Sequence, residues 1–249
     1  MDPIATARLA LACLDLTSLN DADTPADIDK LCARANGPHG PTAAVCVWPR
    51  FAAQARSLLP ASISVAAVAN FPDGSRDLRR AVRDTEDIVI AGAQEVDVVF
   101  PYRDFAHAPA LLNAVRRACE GLRLKVILET GELADADRIA QACRIALDNG
   151  ADFLKTSTGK APTSATPEAA RVLLQAIASR ADARQRVGFK PSGGIRTVAD
   201  AALYIGLTRE VLGEPALTPQ RFRIGASGLL NDIEAVLGGA SRPVPGSSY

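Results

Sequence analysis

Histidine is nearly missing from this chain. Only His39 and His107 occur in 249 residues. A metal centre needs about three imidazole, thiolate or carboxylate ligands at one place. These two stand apart in GPHG and FAHAP, so both read as surface residues and no metal is expected. Cysteine is present but unpatterned. Cys13, Cys32, Cys46, Cys119 and Cys143 are an odd number without a CxxC spacing. A zinc knuckle is excluded and a disulfide framework is unsupported, which leaves free thiols in a reducing cytoplasm as the expectation. Net charge is absent too, with 28 basic against 28 acidic residues. A sequence-independent grip on nucleic acid needs a basic surplus, so no nucleic-acid partner is expected. No run approaches the roughly 18 apolar residues of a membrane span. The opening MDPIATARLALACLDL lacks a basic leader and is interrupted by Arg8, unlike a signal peptide. Aromatic residues make up 4%, and the single Trp48 reads as packing.

What the chain does have is a large apolar fraction, 48%, against 22% charged residues. That balance belongs to a folded globular protein. A chain of this length buries about 70% of its unfolded surface without staples. It also fits one α/β barrel of about 200–250 residues, so residues 1–249 are read as one domain.

Eight short β-rich segments punctuate the sequence: 13–17, 43–48, 64–71, 95–100, 125–130, 152–157, 187–192 and 221–227. Most are continuous apolar runs, the pattern of parallel strands covered on both faces. Amphipathic segments lie between them. DIDKLCARAN follows Pro25 and stops at Gly37. SRDLRRAVRDTEDIVIAGA opens on a Ser75 cap and closes on Gly92. ADADRIAQACRIALDNGA ends in an Asn-Gly stop, and TPEAARVLLQAIASR and TVADAALYIGLTREVLG begin on threonine caps. Eight βα repeats without a composition break predict a single (β/α)8 TIM barrel with an N-terminal helix. The alternative, a doubly wound open sheet, calls for a Gly-rich phosphate loop after the first strand, and CLDLTSLN has none. The tail from about residue 239, GGASRPVPGSSY, is expected to be mobile.

Ionised groups inside strands cost several kcal/mol unless paired or used. Asp97 lies in EVDVVF, Lys125 and Glu129 in KVILET, Lys155 in DFLKTS and Lys190 in VGFKPS. Strand alternation lets Lys155 and Lys190 face the barrel axis on neighbouring strands. Two ammonium groups about 4 Å apart repel by up to about 4 kcal/mol at an effective dielectric of 20. Such repulsion depresses a lysine pKa and supplies the neutral amine that forms an imine with a carbonyl. Asp97 would then serve in proton transfer. A buried structural ion network is the competing reading. Two lysines against one nearby aspartate are poorly neutralised, which favours chemistry. After strands seven and eight, Gly193 and Gly194 in KPSGGIRT and Ser227 and Gly228 in IGASGLL occupy the loops where barrels hold phosphate on backbone N–H groups and a helix N-terminus. Gly159 and Lys160 in TSTGK extend that cradle. Cys46 reads as a small core residue.

These stretches carry a resemblance. LDLTSLNDADT (14–24), TAAVCVWPRF (42–51), EVDVVFPYR (95–103), KVILETGEL (125–133), ADFLKTSTGK (151–160), VGFKPSGGIRT (187–197) and FRIGASGLL (222–230) resemble the deoxyribose-phosphate aldolases, class I aldolases on a (β/α)8 barrel. The resemblance spans essentially the whole chain, and FLKTSTGK with GFKPSGG is its most specific part. It implies reversible cleavage of 2-deoxy-D-ribose 5-phosphate to D-glyceraldehyde 3-phosphate and acetaldehyde, within deoxyribonucleoside breakdown and without a cofactor. It further implies that Lys155 forms the Schiff base, that Asp97 and Lys190 exchange the proton, and that Lys125 is a neighbouring charge. Asp15, Thr17 and Thr158 would serve the substrate, and Tyr249 would match a mobile C-terminal tyrosine that helps move a proton. Many relatives carry GASS where this chain has Ser227-Gly228, so weaker phosphate binding is implied. A small sugar phosphate and an aldehyde are the expected partners, and a homodimer is compatible with the sequence. The rivals are another Schiff-base barrel acting on a different sugar phosphate, and a phosphate-binding barrel without catalysis.

Overall fold

The computed structural model describes residues 2–239. Eight parallel strands form one sheet: β1 (Leu14–Thr17), β2 (Ala44–Val47), β3 (Ser64–Ala69), β4 (Glu95–Val99), β5 (Arg123–Ile127), β6 (Phe153–Lys155), β7 (Gly188–Lys190) and β8 (Ile224–Ala226). Each pairs with its successor up to β7, and β8 pairs with β1. Bridges from Phe189 to Phe222 and from Ser192 to Gly225 bring β7 against β8. The sheet therefore closes nearly all the way round, as the (β/α)8 pattern predicts. Almost every strand residue is buried, which is why the strands read as continuous apolar runs rather than alternating ones.

Helices α1 (Pro3–Ala12), α2 (Pro25–Ala35), α3 (Pro49–Leu58), α4 (Leu78–Ile90), α5 (Ala108–Ala118), α6 (Thr130–Leu133), α7 (Ala136–Asp148), α8 (Pro167–Ala178), α9 (Val198–Leu212) and α10 (Leu229–Leu237) surround it. None is long and apolar enough to cross a membrane. The anticipated threonine caps form: Thr166 accepts from the Ala169 amide and Thr197 from that of Asp200. The Ser75 cap does not. Asp77 accepts from the Arg80 amide and starts α4, while the Ser75 hydroxyl donates to Asn70 at 3.0 Å. With the Ser75 hydroxyl committed to Asn70, the cap falls to Asp77 two residues on. Before β2, Asn36–Gly37 and Gly40–Pro41 form a small hairpin that places His39 on the surface.

Several strands stop earlier than their apolar runs suggest. KVILET leaves the sheet after Ile127, because the neighbouring β6 ladder itself ends at Lys155. Glu129 then turns left-handed, with φ +55°, and Thr130 bonds back to the Thr156 carbonyl at 3.0 Å. Two glycines shape the barrel interior. A Cβ on Gly188 would lie 2.3 Å from the Phe153 ring, so glycine makes room for that ring. A Cβ on Gly225 would lie 3.0 Å from Lys190 Cε, so glycine leaves a passage for the lysine stem. Register then sets the site. Asp97 stands beside Lys125, and Lys155 beside Lys190.

Candidate active site

Three lysines from consecutive strands converge on one carboxylate. Lys125 Nζ lies 2.7 Å from Asp97 Oδ1, and Lys155 Nζ and Lys190 Nζ each lie 2.8 Å from Asp97 Oδ2. Lys190 also pairs with Asp15, and Lys125 reaches Glu95 at 2.5 Å. Beneath them Arg223 spans Asp15 Oδ1 at 2.6 Å and Glu95 Oε1 at 2.8 Å. Arg123, at the lower rim, also holds Glu95. Asp15, Glu95, Asp97, Lys125 and Lys190 are completely buried, and Lys155 is 3% exposed.

This arrangement amends the expected two lysines against one aspartate. Asp15 and Glu95 join, so Lys125, Lys155, Lys190 and Arg223 face three carboxylates. Every group except one is driven toward its charged form. Burial opposes ionisation of Asp97, yet Lys125, Lys155 and Lys190 hold its pKa well below the carboxylate range. Lys125 and Arg223 likewise outweigh burial at Glu95 and hold it at about 2. Lys190 is raised by Asp15 and Asp97 against the cost of burial, and Lys125 by Asp97 and Glu95. Lys155 goes the other way. Burial lowers its pKa, Asp97 pulls it back, and the Lys190 ammonium pushes it down again. With Arg123 also on Glu95, cations outnumber the three carboxylates, and loss of the Lys155 proton reduces that surplus.

Access separates the lysines as well. A cleft of about 480 Å³ opens above the barrel mouth. Thr17 from the end of β1, Lys155, and Thr158, Gly159 and Lys160 after β6 line it, together with residues 192–196 and 225–228. Lys125, Lys190 and Asp97 lie below it. Asp15 also lies below, with both oxygens engaged by Lys190 and Arg223. Of the pair expected there, Thr17 is thus the one that lines the cleft, and its hydroxyl donates to the Asp15 carbonyl at 2.8 Å.

The glycines expected to cradle phosphate come together on one side of the cleft. Gly159, Gly193 and Gly194 have φ of +80°, +84° and +81°, a backbone shape that L side chains rarely adopt. A Cβ on Gly193 would meet Ser164 Oγ at 2.4 Å. Ser227 precedes Gly228, the N-cap of α10, which has no side-chain cap. The first amides of that helix therefore remain available to an anion at the cleft.

The other sequence candidates lie elsewhere. His107 pairs with Asp104 at 2.8 Å, and Trp48 packs edge-on against Phe71. Cys46 is buried 4.0 Å from Asp97 Oδ2, and burial, with Asp97 adding to it, pushes its thiol pKa up. Tyr249 and residues 240–249 of the tail fall outside the described residues. Sequence reasoning missed Arg223 and gave Glu95 no role. Arg223 stands two residues before Gly225 and so on the same strand face, a signal that was available. Glu129, read as a strand residue, belongs to a turn.

Three comparisons bear on this geometry. The model of the DeoC/LacD family of aldolases matches residues 9–232. A deoxyribose-phosphate aldolase from Agrobacterium fabrum is 46% identical over 99% of this chain and 97% of its own. Among solved structures, a Toxoplasma gondii protein provisionally assigned as a deoxyribose-phosphate aldolase is 25% identical, with a TM-score of 0.86 over 96% of this chain and 98% of its own. A tetrameric deoxyribose phosphate aldolase from Aeropyrum pernix, 23% identical, shares the fold with a TM-score of 0.75 over 94% of this chain and 96% of its own. With the full-length match and the barrel built around converging lysines, the chain belongs to the DeoC/LacD aldolase family and is a carbon–carbon lyase.

Proposed function

We propose that this aldolase reversibly cleaves 2-deoxy-D-ribose 5-phosphate to D-glyceraldehyde 3-phosphate and acetaldehyde through an imine on Lys155. One observation carries the reading. Of the three lysines around Asp97, Lys155 alone opens into the cleft and alone has a lowered pKa.

Neutral Lys155 Nζ attacks the aldehyde carbon of the open-chain sugar. The carbinolamine hydroxyl leaves as water after taking a proton, and a protonated imine remains. Loss of the proton from the C3 hydroxyl drives the C2–C3 bond pair into the imine, which becomes an enamine as glyceraldehyde 3-phosphate departs. A proton returns to C2, and water releases acetaldehyde and restores the amine. Lys190, held cationic, is the acid of this exchange. Asp97, held ionised, is the base and joins Lys155 to Lys190 through one oxygen. Both lie below the cleft, so protons reach the substrate through Lys155 or a water.

Thr17 meets a substrate hydroxyl at the cleft wall, and Lys125 keeps Asp97 ionised. The glycine amides, Lys160, Ser227 and the start of α10 receive the phosphate. Two measurements test the reading together. A coupled assay with deoxyribose 5-phosphate should report glyceraldehyde 3-phosphate. Borohydride with acetaldehyde should trap one adduct, which peptide mass spectrometry places on Lys155. An adduct on Lys190 or Lys125 instead, or pyruvate or dihydroxyacetone as the product, refutes it.

A further inference from the structure

Glu129 is a buried carboxylate that the reaction above leaves unused. It is 2% exposed, and among the described residues no cation comes within ion-pairing distance. Its backbone is left-handed, an uncommon and costly conformation for a residue with a side chain, and one that persists only when its surroundings enforce it. That turn is fixed on both sides. The Leu128 amide bonds to the Lys155 carbonyl at 2.9 Å, and the Thr130 amide to that of Thr156 at 3.0 Å. The side chain is thereby directed at the segment just beyond Lys155.

There it accepts from both donors of one residue. Thr158 Oγ1 donates to Glu129 Oε2 at 2.5 Å, and the Thr158 amide lies 3.3 Å from the same oxygen. With its proton committed to Glu129, Thr158 Oγ1 turns a lone pair to the Lys160 amide at 3.0 Å. Gly159 sits between them and packs on the next loop, where a Gly193 Cβ would lie 3.3 Å from Gly159 Cα. One carboxylate thus orders the Thr158–Lys160 turn against the Gly193 loop, and both line the cleft.

We propose that Glu129 is a positioning residue that acts through Thr158 to hold the turn after the imine lysine in the shape that receives the substrate phosphate. The inference rests on the phosphate-side assignment made above. It predicts an effect on phosphate recognition rather than on imine chemistry. A merely structural acid would affect all substrates alike, and an acid acting on Lys155 would move the pH dependence of imine formation.

The test compares deoxyribose 5-phosphate with unphosphorylated deoxyribose in the wild type, Glu129→Ala and Glu129→Gln, alongside the pH profile of borohydride trapping with acetaldehyde. Glu129→Ala should raise KM for the phosphorylated sugar and cost it at least ten times more kcat/KM than the unphosphorylated one. The trapping midpoint should stay in place. Glu129→Gln, whose amide oxygen can occupy the Oε2 position and accept from both Thr158 donors, should recover most of the preference. If the alanine variant fails to fold, Glu129→Asn, which tolerates left-handed backbone but is too short to reach Thr158, takes its place with the same expectation. Equal losses for the two sugars, an unchanged preference, or a moved trapping midpoint overturns the proposal. A wild type with no preference for the phosphorylated sugar, or none trapped on Lys155, refutes the functional reading itself. A normal wild type with unresponsive Glu129 variants refutes only this inference.

Discussion

Removing the Lys190 charge tests the electrostatic basis of Lys155 reactivity. Both ammonium groups lie 2.8 Å from Asp97 Oδ2, so they are no more than about 5.6 Å apart. At that separation and an effective dielectric of 20, two unit charges repel by about 3 kcal/mol. Each 1.4 kcal/mol is tenfold in an equilibrium, so Lys190→Leu should reduce the neutral fraction of Lys155 about 100-fold at a given pH. Charge balance points the same way. Without Lys190 the surplus of cations over the three carboxylates shrinks by one, and Lys155 gains less by losing its proton. The added apolar side chain opposes this slightly through desolvation, but it does not restore a neighbouring charge. The assay is borohydride trapping with acetaldehyde across pH, with the adduct quantified at Lys155 and thermal melting run alongside to confirm folding. The trapping midpoint should move to higher pH, and turnover at neutral pH should fall by about two orders of magnitude. A folded Lys190→Leu whose trapping profile coincides with that of the wild type refutes the coupling and leaves Lys190 as a relay or a structural ion.

Asp97→Asn should abolish turnover and lower the trapping midpoint, since Lys155 loses the anion that favours its charged form; melting should also show a loss of about 3–5 kcal/mol for unpaired buried cations. Acid stability should follow the depressed carboxylates. Asp15, Glu95 and Asp97 have folded pKa values below their unfolded ones, so their contribution is present above the unfolded values, roughly pH 4, and declines as pH falls through them, the Glu95 share being lost by about 2 and those of Asp15 and Asp97 lower still. Urea midpoints measured from pH 6 to 2 should decline steeply in that window, and a flat profile contradicts the ion cluster. Gly228→Ser should fold normally, because φ is −96° and nothing lies within 4 Å of the added Cβ. A hydroxyl at the start of α10 should lower KM for the phosphorylated sugar a few-fold, and an unchanged KM places the phosphate elsewhere.

Much of the barrel is legible because burial on both faces leaves a plain trace. Eight apolar runs separated by capped helices admit few other parallel folds. Lys155 and Lys190 stand out for a related reason, since a charged residue within such a run must be paired or used. Legibility fails where the outcome depends on a neighbour. Nothing local in KVILET says that β5 ends at Ile127, because the end of the adjacent β6 ladder decides it. Ser75 and Asp77 are both good caps, and the competing Asn70 partner decides between them.

Sequence alone determined the eightfold βα alternation, the strand lysines and Asp97, and the glycines after strands seven and eight. These depend on periodicity and on the local cost of burying charge. Tertiary structure alone decided which charges meet. Asp15 in β1, Glu95 in β4 and Arg223 just before β8 are far apart in the chain, and closure of the barrel brings them under Lys125 and Lys190. It also decided which lysine opens into the cleft and has a lowered pKa. Coulomb energy depends on distances across the barrel, and access depends on the height of each side chain below the mouth; neither is written in the order of residues along the chain.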